Sequence, residues 1–158
     1  MKDQLTWYDK ELQQKLAAAV QSGDARFTDC PESSEYRLFD VFPFDRSSLV
    51  AWCKVTSSCS LIMAGLSTSE AKTALATFWR KHCVEAKVTP QEWVWIKGDA
   101  LTSTDLLLRA GHLELYLYDI LSIPHKTLVF PENYGWCLTY DMLDTVTVGR
   151  AVPTSPQS

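Results

Sequence analysis

Leu5, Tyr8, Leu12, Leu16, Ala19 and Val20 recur with the 3.6-residue period of an amphipathic helix, and Ser22-Gly23 marks its end. Residues 23–34 (GDARFTDCPESS) are polar, contain Pro31 and predict a loop. Tyr36 to Phe42 is rich in aromatic and β-branched residues and predicts a strand, which Pro43 ends or confines to a sheet edge. Residues 45–58 stay open between a short helix capped by Asp45 and a strand, because periodicity does not separate the two in so short an apolar run. Leu61-Ile62-Met63-Ala64, ahead of Gly65, has the continuous apolar character of a buried strand. The clearest helix follows. Ser67 and Glu70 have capping-box spacing, and Ala71, Ala74, Leu75, Phe78 and Trp79 form one apolar face. Arg80-Lys81-His82, placed at its end, complements the helix dipole.

Glu92 to Lys97 (EWVWIK) alternates around Trp93 and Trp95 as a strand does. Thr104 to Leu121 is expected to be helical, with Leu106, Ala110, Leu113, Leu117, Ile120 and Leu121 on one stripe and Pro124 just beyond. Gly111 weakens the middle of that helix, and Leu113 to Leu117 also alternates as a strand would. The last part predicts β-structure: Lys126–Phe130, a turn over Pro131–Gly135, Trp136–Tyr140, and Asp144–Gly149 as the third strand of a meander. The tail PTSPQS has a disordered composition. The sum is one α+β domain over residues 1–150 with a disordered tail over 151–158. Its sheet is mixed or antiparallel, ends in a C-terminal β-meander and is packed by about three helices.

A chain of 158 residues, 46% apolar and 22% charged, buries a core without metals or disulfides, and this composition excludes disordered, fibrous and coiled-coil classes. No apolar run approaches the roughly 18 residues that span a bilayer, and no signal peptide is visible, so no membrane association and a cytoplasmic location are expected. The net charge is −4. Residues 99–144 hold seven carboxylates (Asp99, Asp105, Glu114, Asp119, Glu132, Asp141, Asp144) against Arg109 and Lys126, a net of −5, while the rest of the chain carries +1. Acidity argues against nucleic acid as a partner and for steering of a basic one, unless the segment is only a solvated face. The five cysteines (30, 53, 59, 83, 137) are irregularly spaced and odd in number, the pattern of reduced thiols in a cytosolic protein.

Catalytic signatures are missing from this sequence. Its six glycines (23, 65, 98, 111, 135, 149) lie too far apart for a phosphate-cradling loop. His82, His112 and His125 have no metal-ligand spacing, there is no C-x-x-C, and no metal or cofactor is expected. His82 is expected to end a helix and His125 to cap a turn. A cysteine nucleophile is available only if Cys83 or Cys137 meets His112 or His125 and then Asp119 or Asp141 in the fold. Paired carboxylates such as Asp141 and Asp144 at a strand end mark a turn more often than an acid–base pair. Six tryptophans and six tyrosines are the remaining unusual feature. Glu132-Asn133-Tyr134-Gly135-Trp136 sets an acid, an amide, a phenol and an indole at one turn. That suits a protein-binding hot spot, unless Trp136 tucks into the core and Tyr134 merely closes the turn.

The ending HKTLVFPENYGWCLTYDMLDTVTVG (residues 125–149), a strand, an aromatic-rich turn and a second strand after a helix, resembles bacterial immunity proteins of polymorphic-toxin and contact-dependent growth-inhibition systems. The resemblance covers about a sixth of the chain. It implies a non-catalytic protein that binds one cognate toxin domain tightly and blocks an essential surface, and many such toxins are basic nucleases. The expected partner-binding residues are Asp119, Glu132, Tyr134, Asp141 and Asp144. The alternatives are a small cysteine-dependent hydrolase or transferase, and an adaptor or regulatory subunit.

Overall fold

The computed structural model describes residues 6–45, 50–55, 57–98, 104–122 and 126–151. Leu5, Asp99, Pro124, His125, residues 46–49 and 56 of the open 45–58 segment, and residues 152–158 of the tail lie outside the described residues. The chain is α+β. Strands β1 (Ala25–Phe27), β2 (Ser58–Ile62), β3 (Trp93–Gly98), β4 (Leu106–Arg109), β5 (Thr127–Pro131), β6 (Trp136–Tyr140) and β7 (Thr145–Arg150) form one sheet in the order β1-β4-β3-β5-β6-β7-β2. Every neighbouring pair is antiparallel. Among the described residues five helices accompany it: α1 (Trp7–Lys15), α2 (Ala17–Gln21), α3 (Glu32–Val41), α4 (Thr68–Ala86) and α5 (Leu113–Ser122). The C-terminal meander β5–β6–β7 stands as its alternation predicts.

The central strands are apolar on both sides, so both faces of the sheet are covered. On the first face, Val94, Ile96, Val129, Leu138, Val146 and Val148 pack under α1, α2, α4 and α5, whose Leu12, Ala19, Leu75, Trp79, Leu113 and Leu117 are buried among them. On the second face, Trp95, Phe130 and Cys137 pack under Leu38 of α3, under Phe42 just beyond it and under Val50. Trp52 locks this cover to the sheet. Its indole Nε1 donates to Thr139 Oγ1 at 2.8 Å, and its ring lies over Gly149, where a Cβ would stand 2.5 Å from Trp52 Cζ3. Lys97 ties the start of α3 to β3 and β4, reaching Asp105 at 3.0 Å and Glu35 at 3.2 Å, while Asp105 also accepts the amide of Cys30 at 2.8 Å.

Several expectations need correction. The first helix breaks at Leu16, whose ψ of 10° closes α1 before α2 starts. The predicted loop over 23–34 contains β1, paired to Leu106–Leu108, and the start of α3. Tyr36–Val41 is helical, because Leu38 and the capping Phe42, four residues apart, are the buried positions while Tyr36, Phe39 and Val41 are exposed. β2 is an edge strand with exposed Ser58, Cys59, Ser60 and Ile62, where a buried strand over 61–64 was expected. Helix α4 begins at its Ser67 cap as predicted but runs on to Ala86, ending at left-handed Lys87, so Arg80-Lys81-His82 lies inside it. His82 is buried between Trp79 and Trp136 and does not end the helix. Leu106–Arg109 is a strand, with α5 starting only at Leu113, because Leu106 and Leu108 face one cluster and Leu107 the other.

Two outcomes follow from this packing. Gly149→Ala forces Trp52 off the sheet and should cost about 1–3 kcal/mol, read as a lower urea midpoint with unchanged slope. Burial first, then the charge of Arg150, pushes His82 down from 6.5 to about 4. A lowered folded-state pKa means the unfolded chain takes the proton first. The stability present above pH 6.5 is therefore lost as pH falls toward 4, by up to about 3 kcal/mol. His82→Gln, which does not titrate, should remove that part of the pH dependence in urea titrations.

Candidate functional site

The sequence-predicted binding residues fall at two ends of β6. Glu132 and Tyr134 lie in the β5–β6 turn before it, and Asp141 and Asp144 lie in the β6–β7 turn after it. Asp119 lies on α5 and pairs with Lys15 of α1 at 3.6 Å. Tyr134 has a left-handed φ of 57°, stacks on Phe130 and carries the Arg37 guanidinium 5.5 Å above its ring. Its ring thus fastens the turn to α3, leaving Glu132 exposed. Trp136 is 2% exposed and belongs to the core.

The β6–β7 turn presents the more accessible chemistry. Asp141 Oδ1 accepts the amides of Leu143 at 2.9 Å and Thr145 at 3.3 Å, and the amide of Asp144 donates to the Asp141 carbonyl at 3.2 Å. Asp144, at φ 55°, takes the hydroxyl of Tyr140. Burial and this bond together raise the Tyr140 phenol. The Asp144 carbonyl also accepts the amide of Met63 at 2.8 Å, which fastens the turn to the end of β2. The bonds leave the tip itself uncovered: Met142 is 68% and Leu143 78% exposed, each beside an aspartate. Next to the turn, Met63, Leu66, Tyr118, Leu121, Tyr140 and Asp144 line a hollow of about 270 Å³.

The sequence charge map changes when contacts are read. Asp105 is engaged by Lys97, Glu114 by Arg80 and Asp119 by Lys15. Asp141 and Asp144 use their carboxylates within the turn, yet among the described residues no cation forms an ion pair with either. The acidic third is therefore partly compensated where it lies, and its uncompensated charge at the β6–β7 turn sits beside exposed apolar side chains. Met142 and Leu143 escaped the sequence reading. Their signal is two large apolar residues between aspartates at a hairpin turn, where small polar residues are the rule.

The cysteine candidates are placed apart. Cys137 is buried in β6 against α3's cluster, and burial raises its thiol. Cys83 lines a pocket of about 460 Å³ with Arg80, Pro90, Gly111 and Glu114, and burial pushes its thiol up to about 11. His112 Nε2 instead lies 3.0 Å from Asp24, whose carboxyl is held low by the Ser22 hydroxyl and then by His112. Among the described residues no group of three or more His, Cys, Asp and Glu side chains is placed to hold a metal ion, and no helix is long and apolar enough to cross a membrane.

No family model and no curated protein matches the chain.

Asp141→Ala should free the amides of Leu143 and Thr145, raising their hydrogen-exchange rates while those of β3 and β5 stay unchanged, at a global cost of about 1 kcal/mol. Asp141→Asn keeps the accepting oxygen and should leave both protected.

Proposed function

We propose that this chain is a non-catalytic binding protein that neutralises a cognate, basic toxin domain by forming a tight complex. The observation that carries the reading is the β6–β7 tip, where Met142 and Leu143 stand in solvent between Asp141 and Asp144 on a turn held by its own hydrogen bonds. A pre-ordered turn loses little conformational entropy on binding, so its apolar contacts convert more fully into affinity. Two carboxylates beside them attract a basic surface, raise the encounter rate and disfavour acidic partners. The immunity-protein resemblance of residues 125–149 includes this turn and suggests the class of partner. In this reading Asp141 and Asp144 are the partner-binding acids. Glu132 and Tyr134 at the far end of β6, and Asp119 beside Lys15, belong to the contact only if the partner wraps the sheet end to end.

The test uses the tagged chain as bait in lysate of its source organism at low salt, with mass spectrometry as readout and with Met142→Ser/Leu143→Ser and Asp141→Asn/Asp144→Asn as companion baits. The expected result is one stoichiometric basic protein, toxic when expressed alone and harmless when co-expressed with this chain. The apolar variant should bind it about thirtyfold more weakly. The charge variant should associate about tenfold more slowly and lose most of its salt dependence. A partner held equally well by both variants removes the tip from the interface. A partner without toxicity makes the chain an adaptor, and recovery of no partner overturns the binding reading.

A further inference from the structure

We propose that the free edge of β2 pairs with the β2 edge of a second copy of this chain, joining two seven-stranded sheets into one across a two-fold axis. β2 lies at the end of the sheet, and among the described residues nothing pairs with its outer side. Exposed edges are normally blunted by charge, proline, bulges or extreme shortness. β1, the opposite edge, is three residues long and carries Arg26. β2 has five residues, Ser58-Cys59-Ser60-Leu61-Ile62, with no charge, no proline and an unbroken register on β7. It has none of those protections, and its first three side chains are small enough to admit a neighbouring backbone.

The hydrogen bonds fix which groups face outward. The amide of Met63 donates to Asp144 and that of Arg150 donates to the Ser57 carbonyl, so the odd-numbered positions turn their main chain toward β7. Ser58, Ser60 and Ile62 therefore point their amides and carbonyls away from the sheet. Only one antiparallel register of β2 on itself uses all three. It sets Ser60 opposite Ser60 on the axis and Ser58 opposite Ile62, and it satisfies every outward group of the strand. On the helix-covered face it sets Cys59 beside the second copy's Leu61.

The groove beside this edge argues for a second copy over another protein. Leu61, Leu66, Ala74 and Phe78 line it, with Glu70 at one end and Lys81 at the other, in a hollow of about 740 Å³. The charges are eleven residues apart on α4, roughly 16 Å. A groove acidic at one end and basic at the other is complementary to its own image turned by a two-fold axis, which brings each acidic end toward a basic one. A uniformly basic partner would meet Lys81 as a repulsion. The toxin-binding tip lies in a different turn, and pairing through β2 does not depend on it.

Light scattering coupled to size exclusion, over a dilution series of the intact chain, tests the pairing. The expected mass is that of two chains, falling to that of one on dilution. Ser60→Pro should hold the chain at the monomer mass with an unchanged circular dichroism spectrum, because the register on β7 turns the lost amide outward, away from the sheet. Cys59→Ser/Ser60→Cys reports the register without relying on that variant's folding. Mild oxidation should link residue 60 to residue 60 in a covalent dimer, since hydrogen-bonded antiparallel partners lie about 5.5 Å apart, within disulfide reach. A wild type that stays at the monomer mass at all concentrations, a dimer that survives Ser60→Pro, or a covalent dimer linked through Cys53 instead each overturns the proposal.

Discussion

The fold depends on a sheet whose central strands are apolar on both faces. Val94, Trp95 and Ile96 are all buried, as are Val129 and Phe130 and then Trp136, Cys137 and Leu138. A strand with both faces apolar is stable only between two covers. Four helices close the first face. The second is closed by α3 together with Val50 and Trp52, and Trp52 is held at two points, by a hydrogen bond to Thr139 and by contact with a residue that has no side chain. The cover thins toward β7 and β2. There the second face carries Ser60 and Thr147, whose hydroxyls bond each other at 2.8 Å in place of packed hydrocarbon.

That arrangement explains what the residue pattern revealed and what it hid. The meander was legible because its strands are short, β-branched or aromatic, and separated by turn residues, so local preference and tertiary context agree. Helix α4 was legible for the same reason, down to its Ser67 cap. Tyr36–Phe42 was not. Its aromatic content suits a strand, but the second face needs one helix with two contacts a turn apart, and Leu38 and Phe42 supply them while the other aromatics stay in solvent. Leu106–Leu107–Leu108 misled in the opposite direction. A leucine run fits a helical stripe until both sheet faces are known to be buried, when it becomes a two-sided strand.

The candidate site was half legible. Asp141 and Asp144 stood out by charge, and both lie at the tip. Glu132, Tyr134 and Asp119 were singled out from the same acidic segment and lie elsewhere, because sequence proximity within a charged segment carries no information about which end of a strand a residue reaches. Trp136 and Tyr134 are close in sequence but belong to opposite faces. Trp136 points into the core below the first face, while Tyr134 stacks over Phe130 on the second. Aromatic content alone therefore does not distinguish a hot spot from a keystone.

Charge behaves similarly. A net −5 over one contiguous third of the chain suggests a broad acidic field, yet Lys97, Arg80 and Lys15, all from other parts of the chain, sit against Asp105, Glu114 and Asp119. Such pairs contribute little to stability when exposed, but each cation offsets its carboxylate's field at distances larger than their separation, and salt screens what is left within about 8 Å. What then reaches a partner is set by carboxylates without a cation nearby. At the β6–β7 turn these are fixed in position by the hydrogen bonds that shape the turn, so their field has a direction as well as a sign. An acid that both builds a turn and charges it ties electrostatic selectivity to the geometry presenting Met142 and Leu143. For the binding role proposed above, a partner able to satisfy one but not the other would gain only part of the interaction.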